Sequence, residues 1–554
     1  MNWKSKKIDL LLALIINVFF LLIYIYCFIP LQESNDDISM SFLVEGVYGT
    51  HSEYMIFENI LWGKFLVGMS KILPTIKWYN VMSYVMIFMA FTEMTYAFLR
   101  MHGRKIGAAI SAVLLIFGGY QTYILFQFSR VTAIGTIGGM IMLFYALEHA
   151  KGKMESRFCM VAGGFLSVWA SMMRFEMFAL SVALVVVALA VYRLFILFTT
   201  KSINLKKEIV RYVTVFGAVG VLSLALYAVN AWYYQKDEQW STYKEYNELR
   251  AELWDKGFPI YADSTEVYSD LGISEADYSY YLQWNMDEEV MSIETMKTLI
   301  DAKVPKERSL QEFFSKFPSE HFMPLTVYIL FLVIGVVAIA INMKNIYFVA
   351  FEFVAVFAAE LFLYYTGRYG FPRVDNGMWL AAIAVVLYGM AGDFKAFEGK
   401  SGRIAFVVAG TALIINSAWL HDYSHYQEGK MGSTKVAYQE IMQDKEHLYI
   451  MLMQAPSAFY AYDFWEPCGV GDFSNVYNAY GWDYNLEVKQ DILDSYGIEN
   501  IYRDAINNEN VYFIGGPASV MLEQYVRENY NANAKFYPVK EIMNCYVWSI
   551  RTDE

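Results

Sequence analysis

Long apolar runs separated by short polar connections constrain this chain more than any other feature. A helix needs about 20 apolar residues to cross the hydrocarbon core of a membrane, and several segments reach that length. The 554 residues are 56% apolar and only 18% charged, which exceeds what a water-soluble globule needs. The first run, over 10–30, is too long for a removable signal peptide and lacks a small-residue cleavage site. The pattern predicts a mainly α-helical, polytopic membrane protein.

The distribution of Lys and Arg predicts the topology of this membrane domain. Basic residues cluster in six connections, and the positive-inside rule places such clusters in the cytoplasm. About eleven transmembrane helices satisfy all six, with the N-terminus inside and the C-terminus outside, in the plasma (cytoplasmic) membrane. The predicted helices lie at about 8–30, 76–99, 105–119, 130–149, 158–173, 175–198, 208–230, 322–343, 346–366, 376–392 and 403–420. The basic clusters lie at 4–7, Arg100/Arg104/Lys105, Lys151/Lys153/Arg157, Lys201/Lys206/Lys207/Arg211, Lys344 and Lys395/Lys400/Arg403.

Polar segments divide the chain into four predicted parts. The membrane domain comes in two pieces, separated by a mostly helical insertion on the extracytoplasmic face and followed by an extracytoplasmic domain. In that last domain strands alternate with helices, which predicts a small α/β fold. The parts are 1–230 with its outer loop 31–75, the insertion 231–321, the second membrane piece 322–420, and the α/β domain 421–554.

Some local features of the outer segments carry their own predictions. Residues 53–72 are apolar on one side and predict a helix lying in the outer interface, or equally an amphipathic helix packed on the protein. Ser274 is predicted to cap a helix in the insertion, which is rich in Trp and Tyr. Cys468 and Cys545 form a disulfide if their domain faces an oxidising space, or else are two free thiols.

The acidic pair Asp36 and Asp37 directly follows the first apolar run. One interpretation is that Asn35 or Asp36 caps a short helix beginning at Ile38, with the other acid solvated. The alternative is that one carboxylate is a catalytic base, since acidic residues held at a membrane surface mark functional sites.

Several arginines are predicted on the same outer face, where topology bias normally removes them. Arg368 and Arg373 fall in the stretch TGRYGFPR over 366–373, and Arg174 and Arg130 lie at two predicted outer turns. Arg binds phosphate in a bidentate manner, and the Gly and Pro beside the late pair favour a fixed loop. Such arginines can also snorkel or pair with an acid, and for Arg174 that acid could be Glu176.

His51 lies in the first outer loop and is a candidate for substrate binding. A single loop histidine is more often simply solvated. A metal held by Asp36, Asp37 and His51 is conceivable, but no ligand spacing indicates one. No cofactor is therefore predicted with certainty, and a divalent cation stays an alternative.

The combination of these features resembles the GT-C superfamily of membrane glycosyltransferases. The likeness lies in an N-in first helix, an acidic pair opening the first outer loop, and two short helices that lead to the outer face, over 105–119 and 158–173. It lies also in a late outer Arg motif and an external C-terminal domain. At the residue level it depends on Asp36 and Asp37 and, loosely, on 366–373. The insertion and the α/β tail have no counterpart that the resemblance assigns.

The resemblance implies transfer of a sugar from a polyprenyl-phosphate carrier to a glycan or lipid acceptor at the outer face. Inverting transfer needs a carboxylate to accept the hydroxyl proton and positive charge on the departing phosphate. We therefore expect Asp36 or Asp37 as base and Arg368 and Arg373 as the phosphate clamp. The expected partners are the lipid-linked donor, the acceptor and membrane lipids, and no basic surface indicates nucleic acid. Alternatives are a lipid or glycan flippase, a glycan polymerase or ligase, and a non-enzymatic scaffold.

Overall fold

The computed structural model describes most of the chain. The described residues are 3–199, 205–304, 307–321, 327–390, 435–453, 455, 462–516, 520–542 and 545–552. The predicted helix over 403–420 and the basic cluster of Lys395, Lys400 and Arg403 lie outside them.

The described chain is mainly helical, as the apolar pattern predicts. In chain order the helices are α1 (Trp3–Cys27), α2 (Asn35–Glu45), α3 (Ile60–Ile72), α4 (Trp78–His102), α5 (Arg104–Gly119), α6 (Phe128–Glu148), α7 (Lys153–Met173), α8 (Phe175–Thr199), α9 (Leu205–Gln235), α10 (Glu238–Arg250), α11 (Thr265–Asp270), α12 (Glu275–Leu282), α13 (Ile293–Asp301), α14 (Leu310–His321), α15 (Val327–Ile341), α16 (Ile346–Thr366), α17 (Pro372–Gly389), α18 (Glu487–Ser495) and α19 (Val520–Asn529). The strands are β1 (Leu31–Gln32), β2 (Leu125–Phe126), β3 (Leu448–Met451), β4 (Val476–Asn478), β5 (Val511–Gly515), β6 (Ala534–Ile542) and β7 (Cys545–Thr552).

Seven helices of the described part are long and apolar enough to cross a membrane. They correspond to α1, α4, α5, α6, α8, α9 and α16, each of which the sequence predicts. The predicted polytopic, mainly helical fold is therefore confirmed, and the protein is an integral membrane protein. α15 is apolar but shorter, while α7 and α17 form as helices without meeting the same length and hydropathy. The full number of crossings, eleven, stays a prediction.

α6 is the central helix of the membrane domain, because its side chains are buried almost throughout. Small residues let its neighbours approach closely. A Cβ atom at Gly138 would meet the backbone of Ala90 in α4 at 2.7 Å, and one at Gly139 would meet the Gly163 carbonyl of α7 at 2.6 Å. By contrast, α9 and α16 expose most of their apolar side chains, as helices do at a lipid boundary.

Three of the predicted basic clusters meet at one end of this bundle. Glu155 at the start of α7 contacts Lys6 Nζ at 2.8 Å and Arg100 Nε at 3.0 Å. Arg100 also contacts Asp9 at 2.9 Å, and Arg104 contacts the same carboxylate at 2.6 Å. The segments that the positive-inside rule assigns to one side therefore lie together, held by carboxylates.

The outer loop 31–75 contains two helices rather than one interfacial helix. α2 ends at Gly46, whose left-handed backbone (φ 76°) lets the chain turn. α3 begins only at Ile60, with Asn59 as its cap, so a helix starting at residue 53 is wrong. A side chain at Gly63 would collide with the Glu53 carbonyl, which shows how closely the irregular segment folds back onto α3.

The C-terminal part contains a five-stranded mixed sheet with the order β4-β3-β5-β7-β6. β3 pairs in parallel with β4 and β5, while β7 pairs antiparallel with β5 and β6. Helices α18 and α19 connect these strands, so the predicted α/β character is confirmed. Cys468 and Cys545 are free thiols.

The aromatic residues of the insertion form a core. Trp240, Tyr280 and Tyr281 are all buried. The Tyr280 hydroxyl lies 3.0 Å from that of Tyr502, which comes from the C-terminal part. Ser274 caps α12 in a full capping box with Asp277, as predicted.

The C-terminal part also packs directly on the outer loop of the first helix. Backbone N–H groups of Gly471 and Phe473 donate to the carbonyls of Gly46 and Val47 at 2.9 and 2.8 Å. The Cys468 N–H donates to Glu45 Oε2 at 2.7 Å. Three hydrogen bonds therefore join the two ends of the sequence above α2.

Removing the carboxylate of Glu155 should destabilise the fold. In Glu155→Ala the buried Arg100 guanidinium loses one of its two carboxylate partners, which should cost about 3 kcal/mol. The measurement is denaturant unfolding in detergent micelles. The control is Glu245→Ala, which breaks an exposed pair with Lys297 and should cost less than about 1 kcal/mol. Equal losses in the two variants would contradict the role of the buried network.

Candidate active site

Asp36 and Asp37 occupy the first turn of α2, where the chain leaves the first membrane helix. A carboxylate is favourable at this end of a helix because the backbone N–H groups point towards it. The helix begins at Asn35 and its N-cap is Ser34, so neither Asn35 nor Asp36 is the cap. The Ser34 hydroxyl makes no hydrogen bond to the helix backbone and donates to Asp36 Oδ2 at 3.3 Å.

A short parallel pairing places a second outer turn against the acidic pair. β1 pairs with β2, which lies directly before α6. The Glu33 N–H continues this pairing to the Phe126 carbonyl at 3.0 Å. The first turn of α6 then lies next to Asp37, whose Oδ1 accepts the Phe128 N–H at 2.9 Å.

Asp37 is fully buried and shares a hydroxyl with Glu58. The Tyr79 hydroxyl lies 3.0 Å from Asp37 Oδ1 and 3.0 Å from Glu58 Oε1. It carries one proton and can donate to only one carboxyl group, so the other must be protonated to donate back. Burial raises the pKa of both acids well above their usual values, and the charge of Asp36 raises that of Asp37 further. Asp37 therefore belongs to a buried acid pair.

Asp36 differs from its neighbour in exposure and in surroundings. It is half-buried and lies within electrostatic range of Arg373 and Arg174. Burial raises the pKa of Asp36, and the two guanidinium groups lower it. The indole N–H of Trp482, from the C-terminal part, approaches the same carboxylate and also lowers its pKa. The structure therefore brings Asp36 within electrostatic range of Arg373 and Arg174.

Arg174 lies at the sharp junction between α7 and α8. Its Nη1 donates to Ser129 Oγ at 2.7 Å, and its Cζ lies 4.9 Å from the centroid of the Phe128 ring. Burial lowers the pKa of Arg174, the charge of Glu176 raises it, and that of Arg373 lowers it again. Arg373 therefore lies close to Arg174, and two neighbouring guanidinium groups favour an anion between them.

Arg373 enters the same region at the start of α17. Pro372 occupies the first turn, and the guanidinium lies over the Phe371 ring with Cζ 4.9 Å from its centroid. Arg373 Nε is buried and has no hydrogen-bond partner among the described residues. A buried donor without a partner is costly, so this atom is a candidate contact for a bound anion.

Arg368 follows the left-handed Gly367 (φ 80°) that ends α16, and its side chain is exposed. Its charge lowers the pKa of Arg174, which places it near the other two arginines. Within the described part of the chain it forms no ion pair. Arg368 therefore lies at the exposed edge of the group that Arg174 and Arg373 form.

The remaining predicted residues have other partners. Arg130 is buried and contacts Glu33 Oε2 at 2.7 Å, and it also donates to Gln121. Its charge is thereby compensated within the protein. His51 Nδ1 lies 2.8 Å from the Val44 carbonyl, and its ring packs beneath Gly46. The structure places His51 in the support of α2 and not beside Asp36.

Three residues near the acids were not predicted as part of a site. Glu58 had one sequence signal, because it interrupts the apolar side of the segment over 53–72. Tyr79 and Trp482 had none, since each is one of many aromatics and reaches the acids only through the fold. Trp482 packs on Phe57 with ring centroids 5.2 Å apart, which fixes it above the outer loop.

This arrangement can move a proton and hold an anion. Asp36 is an accessible carboxylate, and Arg373 and Arg174 supply positive charge within its range. Among the described residues, no three His, Cys, Asp or Glu side chains are placed to hold a metal ion. The donor set of Asp36, Asp37 and His51 therefore does not fit a divalent cation.

Two solved structures resemble the whole chain. ArnT from Cupriavidus metallidurans bound to undecaprenyl phosphate is 12% identical, with 97% of each chain covered and a TM-score of 0.43. Its apo form is 11% identical, with 96% of this chain and 97% of that one covered and a TM-score of 0.44. No family model and no curated protein sequence matches the chain.

The buried acid pair should make stability depend on pH. Asp37 and Glu58 have raised pKa values in the folded protein, so their contribution is complete below about pH 4 and is lost as pH rises through the raised values. Glu58→Gln keeps an oxygen for Tyr79 and removes one ionisation. Its melting temperature should therefore fall less than that of the unmodified protein between about pH 5 and about pH 8.

The matched control for this prediction is Glu248→Gln, which neutralises an exposed carboxylate of α10. Its pH profile should follow that of the unmodified protein. Parallel profiles for Glu58→Gln and the unmodified protein would show that the buried acids do not share a proton.

Proposed function

We propose that this protein is a membrane glycosyltransferase of the GT-C type. It transfers a sugar from a polyprenyl-phosphate carrier to a hydroxyl group of a cell-surface glycan or lipid, with inversion at the anomeric carbon. The reaction takes place at the extracytoplasmic face of the membrane, where the positive-inside rule puts the acidic loop. Asp36 is the general base, and Arg373 and Arg174 bind the phosphate, with Arg368 at the exposed edge.

The observation that carries this proposal is the position of Asp36 within range of Arg373 and Arg174. Asp36 is the accessible acid of the pair, and Arg373 has a buried donor without a described partner. In an inverting transfer, the base and the phosphate-binding groups must lie close together in space, on opposite sides of the reacting carbon.

Asp36 suits the role of base better than Asp37. A base must be reached by the acceptor hydroxyl, and Asp37 is buried with both a backbone and a tyrosine donor on Oδ1. A general base is most effective when its pKa lies near the working pH. Burial raises the pKa of Asp36 in that direction, and the charges of Arg373 and Arg174 limit the rise.

The arginines supply the second requirement of the reaction. When the bond between the anomeric carbon and the phosphate oxygen breaks, negative charge grows on the departing polyprenyl phosphate. Fixed positive groups stabilise that charge, and guanidinium groups do so with two parallel N–H donors. Arg174 is fixed by Ser129 and the Phe128 ring, and Arg373 by Phe371, so little reorganisation is needed.

The proposed reaction couples sugar transfer to proton transfer from the acceptor to Asp36. The acceptor hydroxyl oxygen forms the new bond to the anomeric carbon as its proton passes to Asp36. The phosphate oxygen leaves with the electron pair of the broken bond and stays on the lipid. Asp36 then releases the proton to water at the outer surface, which restores the carboxylate.

Asp36→Asn should abolish most of the transfer. Asn keeps the size and the hydrogen bond from Ser34 but cannot accept the proton, so kcat should fall by about 10²–10⁴-fold. The measurement is the release of polyprenyl phosphate from a lipid-linked sugar donor by purified protein, in the presence of acceptor. Asp37→Asn should retain a much larger share of kcat.

The matched comparison identifies the base as well as the activity. A loss of only a few-fold in Asp36→Asn, together with a large loss in Asp37→Asn, would transfer the base to Asp37. Movement of the intact donor across a vesicle membrane without sugar release would replace the transferase by a flippase.

Arg373→Gln should change the pH profile as well as the rate. Arg373 lowers the pKa of Asp36, so removal of its charge should raise that pKa and shift the acidic limb of kcat/KM to higher pH. Arg527→Gln, an exposed position of α19, is the charge-matched control and should leave the limb in place. An unshifted limb in Arg373→Gln would separate Arg373 from the base.

A further inference from the structure

A polar cavity lies outside the acidic loop, between the insertion and the C-terminal part. Its volume is about 220 Å³, small enough for one ring of a glycan rather than for a drug-sized ligand. None of its lining residues belongs to the group around Asp36. The lining residues that matter here are Asp287, Glu288, Tyr477, Tyr484, Asn485 and Glu499.

The floor and the rim of this cavity differ in chemistry. Tyr477 and Tyr484 are buried and give the floor two aromatic rings, 5.8 Å apart between centroids. Glu288 and Glu499 are exposed and lie at the rim. An aromatic floor with a few polar groups above it is the usual composition of a small-ligand site.

The charge of the lining is strongly negative. It contains four carboxylates, Asp287, Glu288, Glu289 and Glu499, against a single arginine. That arginine, Arg503, already contacts Glu289 at 3.2 Å and Glu499 at 3.6 Å. Its charge is therefore compensated, and the cavity repels anions such as phosphates and uronic acids while favouring a cationic group.

One buried hydroxyl beside the cavity has no partner. The ring of Tyr246 stacks on that of Tyr484 with centroids 6.3 Å apart, and its side chain is buried. Its hydroxyl lies within electrostatic range of Glu288, Tyr477 and Asp287, all of which line the cavity. Among the described residues it has no hydrogen-bond partner. A buried hydroxyl is normally satisfied, so this unpartnered group behind the cavity wall is unusual.

The position of the cavity relates it to the acidic loop. Trp482 approaches Asp36, and two and three residues later Tyr484 and Asn485 line the cavity. The turn is fixed on both sides, because the Tyr243 hydroxyl donates to the Trp482 carbonyl and the Tyr484 hydroxyl accepts the Glu288 N–H at 3.3 Å. A ligand in the cavity is therefore separated from Asp36 by one rigid turn.

We propose that this cavity binds a glycan through a sugar unit that carries a free amino group. The ammonium group lies between Glu288 and Glu499, and the sugar ring covers Tyr484. As a binding site the cavity is independent of the reaction. Its role as the place that holds the acceptor glycan depends on the proposed function.

The test is calorimetric titration of the purified full-length protein in detergent with two matched probes. One is an oligosaccharide of glucosamine, and the other is the same oligosaccharide fully N-acetylated, which lacks the positive charge. The glucosamine form should bind about tenfold more tightly, and its binding should weaken as salt is added. Equal affinity of the two probes, or binding of neither, would overturn the proposal.

Variants then locate the binding. Glu288→Gln combined with Glu499→Gln removes two rim charges while keeping side-chain size, and should weaken the glucosamine probe about tenfold. The control, Glu446→Gln combined with Glu509→Gln, removes two exposed charges of the same part of the chain outside the cavity. It should leave the affinity unchanged, and an equal loss in the control would overturn the assignment.

The donor assay separates this inference from the proposed function. Probe binding that depends on Glu288 and Glu499, in a protein that releases no polyprenyl phosphate, would reject the transferase and keep the site. If the protein transfers sugar but the cavity variants bind the probe unchanged, the transferase is kept and the glycan site is rejected.

Discussion

Tyr79 lies between two buried carboxyl groups and joins the outer loop to the fourth helix of the chain. Asp37 and Glu58 both approach its hydroxyl at 3.0 Å, and their separation in the sequence means that this contact closes the loop around α2. Two ionised carboxylates would repel each other strongly in such a buried place. A proton on one of the two carboxyl groups removes that repulsion, so the loop can carry a third, half-buried acid, Asp36. The presence of this more accessible carboxylate follows from the neutralisation of one buried neighbour.

The arginines differ in whether a carboxylate of the protein compensates their charge. Arg130 has Glu33 and Arg100 has Asp9 and Glu155, so each is held within the protein. Arg373 has a buried Nε without such a partner among the described residues. An electrostatic difference of this kind distinguishes a structural cation from one that can serve a ligand, although all of them look alike in the sequence.

Much of the membrane architecture could be predicted, because the hydrophobic length of a helix is a local property. The capping of α12 by Ser274 is equally local. The distinction between Asp36 and Asp37 is not, since it depends on Tyr79 and Phe128, which reach the loop only in the folded protein. For the same reason α3 begins later than the sequence pattern predicts, and the sequence does not show that the aromatic residues of the insertion form a core. The partner that covers each of them lies far away in the chain.

The hydrogen bond from the Cys468 N–H to Glu45 spans 423 positions of the sequence. Translation proceeds at roughly 5–20 residues per second, so the acidic loop leaves the ribosome tens of seconds before the segment that covers it. During that interval Glu45, Gly46 and Val47 lack the partners that fix the end of α2. A nascent or prematurely terminated chain therefore contains the carboxylates without their final geometry. The geometry around α2 is completed only when the C-terminal part has been synthesised.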